Sequence, residues 1–343
     1  MTGPHHLPGK CAGTSRKAIR HLIVALATIA LIPSTRAEEG GSGHYLPGSM
    51  SSFMDAVPPK ETFIARANFV YYDGSFDSGS LPFAKFAAAN VKATSFAAGL
   101  TLLWRPPIDL GEKWSFAISA TLPYVWMDVS ANASAKATVY KGTRFERTIS
   151  VSPKVSDSKD GLGDMVIMPL MLNYKFTPDF SMNFRVAVYA PTGAYNASDL
   201  ANTGKNFWTF EPVLALMYFG QKNGFEASMF VGYDMNTENP ATNYKSGDQF
   251  HIDGTLAQHF PLLGGFAGVG VSGYWYQQLT PDSGEGASFG PFMATTTGLG
   301  PVISYSKKVG NIDIIGEVKW LAELETQNRL QGNYIWAKLI FKF

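Results

Sequence analysis

The chain has 343 residues, with 28 basic and 27 acidic side chains, 34 glycines and one cysteine, Cys11. A single cysteine excludes an internal disulfide and a cysteine-based metal site, and the near-neutral charge lacks the basic excess of a nucleic-acid-binding chain. Aromatic residues make up 13% of the chain and charged residues only 16%, a balance typical of extensive strand and turn structure.

Residues 1–37 have the pattern of a secretory signal peptide with an N-terminal extension. Three basic residues between positions 16 and 20 precede the apolar run 22–32, and Ala37 ends a small-residue cleavage site. The run is too short for a transmembrane helix, which needs ~20 apolar residues. Cleavage near Ala37 leaves 23 basic against 27 acidic side chains, so no nucleic-acid partner is predicted.

Residues 38–60 form a separate segment ahead of the first predicted strand. The segment is rich in glycine at first and then becomes amphipathic. It is predicted either to fold into a barrel lumen as a plug or to remain an ordered periplasmic tail, and the sequence leaves both open. Its apolar residues are Leu46, Met50, Phe53, Met54 and Val57.

Residues 61–343 contain twelve segments in which apolar and polar side chains alternate with a period of two. Each segment has at least the ~9–11 residues with which a tilted strand crosses a membrane. The predicted strands are 62–72, 91–104, 113–127, 164–176, 181–190, 207–219, 224–234, 248–260, 266–278, 298–306, 312–323 and 333–343.

The connections between these strands alternate between short and long. Outer-membrane barrels show this alternation because their periplasmic turns are short and their external loops are long. We therefore predict an all-β fold, a transmembrane antiparallel β-barrel of about 12 strands. Residues 130–151 could form an external hairpin or a further strand pair, which would make fourteen strands. The predicted turns are 105–112, 177–180, 220–223, 261–265 and 307–311, and the predicted loops are 73–90, 128–163, 191–206, 235–247, 279–297 and 324–332.

The last predicted strand ends on an aromatic residue, Phe343. Its apolar residues from Ile335 to Phe343 share one face, whereas Trp336, Lys338 and Lys342 share the other, as in a strand with lipid on one side. A C-terminal aromatic strand is the segment that the barrel-assembly machinery recognises. The expected location is therefore the outer membrane of a Gram-negative bacterium, with outer-membrane lipid and that machinery as partners.

The alternate strand positions that are predicted to face inward include charged and aromatic side chains. These side chains are candidates for lining the lumen. Buried charges must pair or contact water, so these side chains either contact a solute or form a structural lattice of ion pairs. Their mixed signs argue against strong selectivity for anions or cations. The candidates are Arg66, Arg185, Glu211, Glu226, His251, Asp253, Glu317, Lys319, Tyr334, Trp336 and Lys338.

The sequence offers little support for catalysis. His251, Asp253 and His259 share the inward parity, so a metal or hydrolase site is conceivable, but no Gly-x-Ser-x-Gly or His-Glu-x-x-His pattern accompanies them. The glycine motif at 268–273 lies inside a strand, where it cannot serve a dinucleotide. We therefore predict no catalytic residues, no metal, no cofactor and no enzymatic activity.

Several motifs resemble a known family. The motifs are His44–Lys60, Tyr189–Tyr195, Gly204–Pro212, Tyr244–His251 and Tyr274–Gly284. Together they resemble the transporter family of meta-pathway phenol-degradation proteins, over essentially all of residues 44–343. The resemblance implies an outer-membrane barrel associated with the catabolism of aromatic compounds, and it carries over no functional residues.

These observations predict an outer-membrane channel for the facilitated diffusion of small apolar or aromatic compounds. Twelve strands enclose a lumen between the filled interior of an eight-stranded barrel and the aqueous channel of a porin. The alternative is a non-conducting structural or surface-interaction barrel that acts through its external loops, chiefly 128–163. A lipid-modifying barrel enzyme is a third hypothesis.

Overall fold

The computed structural model describes residues 41–77, 81–83, 86–133, 135–139, 147–151, 154–287 and 293–343. The predicted signal peptide, residues 1–37, lies outside the described residues. Within them the chain is almost entirely strand and turn, with a 3-10 turn at Phe53–Asp55 ahead of the first strand. No helix in the described part of the chain is long and apolar enough to cross a membrane.

Sixteen strands are present in the described residues, and most of them follow the predicted segments closely. They are β1 (Thr62–Phe76), β2 (Leu81–Phe83), β3 (Phe86–Arg105), β4 (Trp114–Ala133), β5 (Ala135–Val139), β6 (Arg147–Val151), β7 (Lys154–Leu162), β8 (Met165–Lys175), β9 (Phe180–Ala190), β10 (Thr209–Phe219), β11 (Phe225–Asn236), β12 (Gln249–Leu262), β13 (Gly265–Gln278), β14 (Thr295–Val309), β15 (Ile312–Gln327) and β16 (Gln331–Lys342).

Twelve of these strands close into an antiparallel barrel. β1 pairs with β16 on one side and with β3 on the other, β3 pairs with β4, and β4 pairs with β8. From β8 to β16 each strand pairs with the next along the chain. The predicted fold, an all-β barrel of about 12 strands, is thereby confirmed, and closure leaves its wall without a free sheet edge.

The predicted fourteen-strand alternative does not occur. β5 and β6 pair only with each other in a separate two-stranded sheet, so residues 130–151 contain a hairpin rather than two more strands of the wall. β7 pairs with residues 124–132 of β4, and β8 pairs with residues 114–121 of the same strand. Gly163 and Asp164 separate β7 from β8, so the two lie in succession along β4.

The turns and loops differ from prediction in several places. β1, β3 and β4 extend into the predicted loops 73–90 and 128–163, which also contain β2, β5, β6 and β7. The connection between β15 and β16 spans only residues 328–330, although a long loop at 324–332 is predicted. Both strands extend beyond the segment that alternates clearly, because ladder hydrogen bonds continue where no apolar face is needed. The predicted turn 261–265 is a two-residue hairpin at Leu263 and Gly264, both with positive φ, the geometry of a type I′ turn.

The side chains are arranged opposite to those of a soluble protein. In β16 the polar or amphipathic Tyr334, Trp336 and Lys338 are buried, while Ile335 and Leu339 are exposed. The same inversion holds along β12, where His251 and Asp253 are buried and Leu256 is exposed. An exposed apolar belt around a polar interior is the arrangement that lipid favours.

Candidate functional site in the barrel lumen

The strand alternation places all eleven predicted lumen residues on the inner face of the barrel. Ten are buried, and the side chain of Arg66 is 17% exposed. They do not form one site. The structure separates most of them into a group around Asp55 and a group around His251. Glu226 instead pairs with His259, and Tyr334 packs against Tyr72 at a ring-centroid distance of 4.4 Å. Sequence reasoning could not separate these groups, because parity gives the face of a strand and not the position along the barrel.

Residues 41–57, here called the N-terminal segment, run through the interior and contact inward side chains of several strands. On β16, Trp336 Nε1 donates to the Pro47 carbonyl at 2.9 Å and Lys338 Nζ donates to the Ser49 carbonyl at 2.8 Å. On β15, Lys319 Nζ donates to Ser51 Oγ at 2.6 Å. The strands therefore hold the segment mainly by donating hydrogen bonds to its backbone and hydroxyl groups.

Four basic side chains converge on Asp55 of the N-terminal segment and are called the basic site. They are Arg66 on β1, Arg185 on β9, Lys319 on β15 and Lys338 on β16. Lys338 Nζ lies 3.0 and 2.9 Å from the two carboxylate oxygens of Asp55, and Arg66 Nη1 lies 2.7 Å from Oδ1. Arg185 Nη2 donates to the Asp55 carbonyl at 2.9 Å.

The electrostatics of Asp55 follow from these contacts. Burial raises the pKa of Asp55, but the charges of Lys338, Arg66 and Lys319 outweigh that effect and hold the pKa well below its usual range. Asp55 therefore carries a full negative charge inside the barrel. A second carboxylate, Glu317, lies 3.3 Å from Lys319 and 3.9 Å from Lys338.

A second group, here called the acid–imidazole cluster, surrounds His251 on β12. Its Nδ1 lies 3.0 Å from Asp253, and its Nε2 lies 3.0 Å from Glu211 and 3.8 Å from Asp234. Tyr189 donates to the other oxygen of Glu211 at 2.7 Å. Ligand atoms of Glu211, Asp234 and His251 lie within 4.8 Å of one another, so these donors suit a divalent cation of the zinc or manganese type.

The N-terminal segment completes the acid–imidazole cluster. Tyr45 donates to Asp253 Oδ2 at 2.9 Å and stacks on the imidazole of His251 with ring centroids 4.0 Å apart. The backbone N–H of Gly48 donates to Asp253 Oδ1 at 2.7 Å. A side chain at Gly232, the cross-strand neighbour of His251, would reach within 2.1 Å of His251 Nε2. Glycine at that position therefore leaves the space that the imidazole occupies.

The predicted trio of His251, Asp253 and His259 is not brought together as one site. His259 instead pairs with Glu226 at 2.8 Å, and the other oxygen of Glu226 accepts the backbone N–H of Phe53 at 2.7 Å. Asp253 therefore binds Tyr45 and Gly48 of the N-terminal segment, whereas Glu226 binds Phe53.

Two important residues escaped sequence analysis, His44 and Asp164. His44 bridges Thr209 at 2.7 Å and Asp164 at 2.9 Å. Asp164 lies at the break between β7 and β8 and also accepts the backbone N–H groups of Gly193 and Lys205. The sequence signal for this strand break was the glycine at position 163. In the structure a side chain at Gly163 would contact Thr203 and Pro123.

A cavity of about 330 Å³ lies between the N-terminal segment and the wall formed by β1, β3 and β4. Its charged lining residues include Arg66, Asp164, Asp199, Lys205 and Arg329. None of the wall positions that β3 and β4 contribute carries a charge. On β3 these positions are Val91, Ala93, Ser95, Ala97, Gly99 and Thr101, and on β4 they are Thr121, Pro123, Val125, Met127 and Val129.

The barrel is similar to solved outer-membrane proteins. An outer membrane channel from Pseudomonas putida F1 matches with a TM-score of 0.59 and 14% identity, over 88% of this chain and 100% of that chain. The beta domain of the Bordetella autotransporter Brka matches with a TM-score of 0.45 and 10% identity, over 82% and 100%. A FadL homologue of Pseudomonas aeruginosa matches with a TM-score of 0.41 and 8% identity, over 91% and 98%.

The closed barrel, its exposed apolar belt and the similarity to the Pseudomonas putida channel define an outer-membrane β-barrel protein. The chain belongs to the family described as "Putative MetA-pathway of phenol degradation", which matches residues 76–339. The resemblance found in the sequence motifs is thereby confirmed. No curated protein sequence matches the chain.

Proposed function

We propose that this protein is an outer-membrane channel through which small apolar and aromatic compounds cross by facilitated diffusion, without an energy source and without covalent chemistry. The observation that carries the proposal is the cavity of about 330 Å³ beside the uncharged wall of β3 and β4. A volume of this size falls at the lower end of the range for sites that bind one small molecule. The family's link to phenol degradation supports an aromatic solute.

The wall chemistry favours aromatic solutes over sugars. A sugar loses hydrogen bonds to water along its whole surface when it enters the cavity, and Val91, Ala97, Val125 and Met127 offer no hydrogen bonds in return. An aromatic ring loses little hydration and packs against the same side chains. Polar groups that line the cavity, such as Lys205 and Arg66, bind the polar substituent of an aromatic compound.

The N-terminal segment acts as a plug in this proposal. It occupies the lumen beside the cavity and contacts Trp336, Lys338 and Lys319 through the hydrogen bonds described above. A solute can pass only if part of the segment shifts. Selectivity then depends on how well a solute replaces the contacts that the segment gives up.

The test measures uptake by liposomes that contain the purified full-length protein. The solutes are hydroxybenzoates, which cross lipid slowly as anions, and arabinose, a neutral sugar of similar mass. We expect faster uptake of the hydroxybenzoates than of arabinose. Removal of residues 41–57 should raise the uptake of both solutes and reduce the difference between them, because the cavity then opens into the rest of the lumen.

Heat-dependent electrophoretic mobility serves as the folding control, because a closed barrel unfolds only on heating. Equal leakage of acids and sugars, with and without the protein, would contradict the channel function. That result would favour the alternative of a surface-interaction barrel that acts through its external loops.

In cells, loss of the gene should impair growth on aromatic carbon sources and leave growth on sugars unchanged.

A further inference from the structure

We infer that the basic site binds the carboxylate of a permeating organic acid, and that the carboxylate of Asp55 occupies this site while the N-terminal segment is in place. The inference rests on the proposed channel function and narrows its solutes to small aromatic acids. Asp55 then acts as a built-in competitor that an incoming acid replaces.

The contacts to Asp55 have the geometry of a carboxylate-binding site. Both of its carboxylate oxygens are bound by Lys338, one is also bound by Arg66 at 2.7 Å, and the other accepts the backbone N–H of Ser51 at 3.0 Å. Charge-assisted contacts to both oxygens are the usual way in which proteins bind a free carboxylate. Nothing in these contacts requires that the carboxylate belong to the polypeptide, apart from the donor that the segment itself supplies.

Asp55 balances part of the positive charge of the basic site. Among the described residues, Asp55 and Glu317 are the carboxylates within ion-pair distance of the four basic side chains. Displacement of Asp55 leaves four cations and one carboxylate in a buried place. Buried cations without a counter-ion are strongly unfavourable, so the displaced state attracts another anion.

The basic site lies next to the apolar cavity. Arg66 lines the cavity together with Val70, Ala97 and Trp336. An aromatic ring in the cavity can therefore place its carboxylate at Arg66 while the ring packs on apolar side chains. This pairing of a cationic edge with an apolar wall is complementary to an aromatic acid such as benzoate, and not to a neutral aromatic amide.

Competition between Asp55 and the solute has a consequence for the plug. An acid that occupies the basic site removes the ion pairs that hold residues 51–55, so binding of the solute and release of the segment become one event. The apparent affinity for the acid is lower than its intrinsic affinity, because the site is free only in the fraction of molecules whose segment has moved. Substitution of Asp55 removes that competition.

The experiment records the reversal potential and current of the full-length protein in planar bilayers across a potassium chloride gradient. Asp55→Asn should raise the permeability ratio of chloride to potassium several-fold over wild type. Benzoate should then reduce the chloride current of the variant at a concentration at least tenfold lower than in wild type, and benzamide should not. Asp55→Glu, which keeps the carboxylate, should behave like wild type.

Two lysines of β16 supply the matched comparison. In the Asp55→Asn background, Lys338→Met should reverse most of the gain in anion selectivity and weaken the block by benzoate. Lys342→Met should change neither, because Lys342 lies at the end of the barrel, 3.7 Å from Asp313 and away from the basic site. Heat-dependent mobility confirms that each variant is folded.

Unchanged ion selectivity in folded Asp55→Asn protein, or equal block by benzoate and benzamide, would overturn the inference. If Asp55→Asn protein does not fold, the benzoate and benzamide comparison on wild type and Lys338→Met protein decides, and equal effects again overturn it. These outcomes differ from failure of the proposed function. A protein that leaks acids and sugars equally in liposomes can still bind benzoate at the basic site, and a selective channel can lack that site.

Discussion

Strand alternation places different kinds of side chain on two sides of the barrel interior. On β3 and β4 the inward positions are small or apolar, as at Ala97 and Val125, and they leave a cavity. On β15 and β16 they include the long charged side chains of Lys319 and Lys338, which hold the N-terminal segment. Where the inner wall carries charge the segment is bound, and where it carries none there is space for a solute.

The largest expected effect comes from placing charge on the outer face of the charged wall. Leu339 lies on β16 next to Lys338 but points outward and is 38% exposed. Leu339→Arg should prevent assembly, because arginine on the lipid-facing side near the midplane costs roughly 2–4 kcal/mol. Membrane fractionation and heat-dependent mobility measure the outcome, with Leu339→Ile as the control. Normal assembly of Leu339→Arg would show that the two faces of β16 are assigned the wrong way round.

The next largest effect is expected from a substitution that removes one partner of the buried ion pair. Lys338→Ala leaves Asp55 with Arg66 as its direct cationic contact, and loss of one partner of a buried pair costs about 3–5 kcal/mol. We expect a lower temperature for the mobility shift of the barrel, and easier protease access to the N-terminal segment. The control is Lys342→Ala, whose side chain is partly exposed. An equal shift for both variants would mean that the Asp55 contact contributes little.

A smaller effect should follow from filling the cavity on the uncharged wall. Ala97→Phe adds a ring to an inward position and should slow the uptake of hydroxybenzoates several-fold without loss of stability, because the cavity of about 330 Å³ has room for the added ring. Ala98→Phe adds the same ring to the lipid-facing side of β3 and serves as the control. Equal slowing of uptake by both variants would show that the cavity does not take part in transport.

The smallest effect concerns pH. Neighbouring cations hold the pKa of Asp55 below its usual value of about 3.9, despite burial. The ion-pair stabilisation is therefore fully present from that usual value up to neutral pH, and on acidification it is lost only as the pH falls through the lowered pKa. The difference in conductance between wild type and Asp55→Asn should stay constant from about pH 7 to about pH 5. A difference that disappears within this range would show that Asp55 is protonated there.

The barrel itself was predictable because its signal is local. Period-two alternation located twelve strands, and short connections placed their turns. The strand β7 was missed, and its residues 154–162 were taken as part of a loop. These residues are mostly polar on both faces, because β7 continues the sheet beyond the region where an apolar outer face is required.

The lumen was predictable only in part, for a different physical reason. Parity identified Lys338 and His251 as inward residues, but it could not show that Asp55 contacts the first and Tyr45 the second. Those contacts depend on the path of an irregular segment through the lumen, which no periodic pattern encodes. Asp55 was visible only as the single acid among the apolar residues of an amphipathic segment.

The ion pair between Asp55 and Lys338 joins residues that are 283 positions apart, and the barrel closes by pairing β1 with β16. The earliest part of the described chain is therefore bound by the last of its described strands, β16. Contacts of such long range form late in folding, since the intervening chain must be ordered first. Substitutions in residues 41–57 should accordingly leave the rate of membrane insertion unchanged and slow only the final maturation of an already closed barrel.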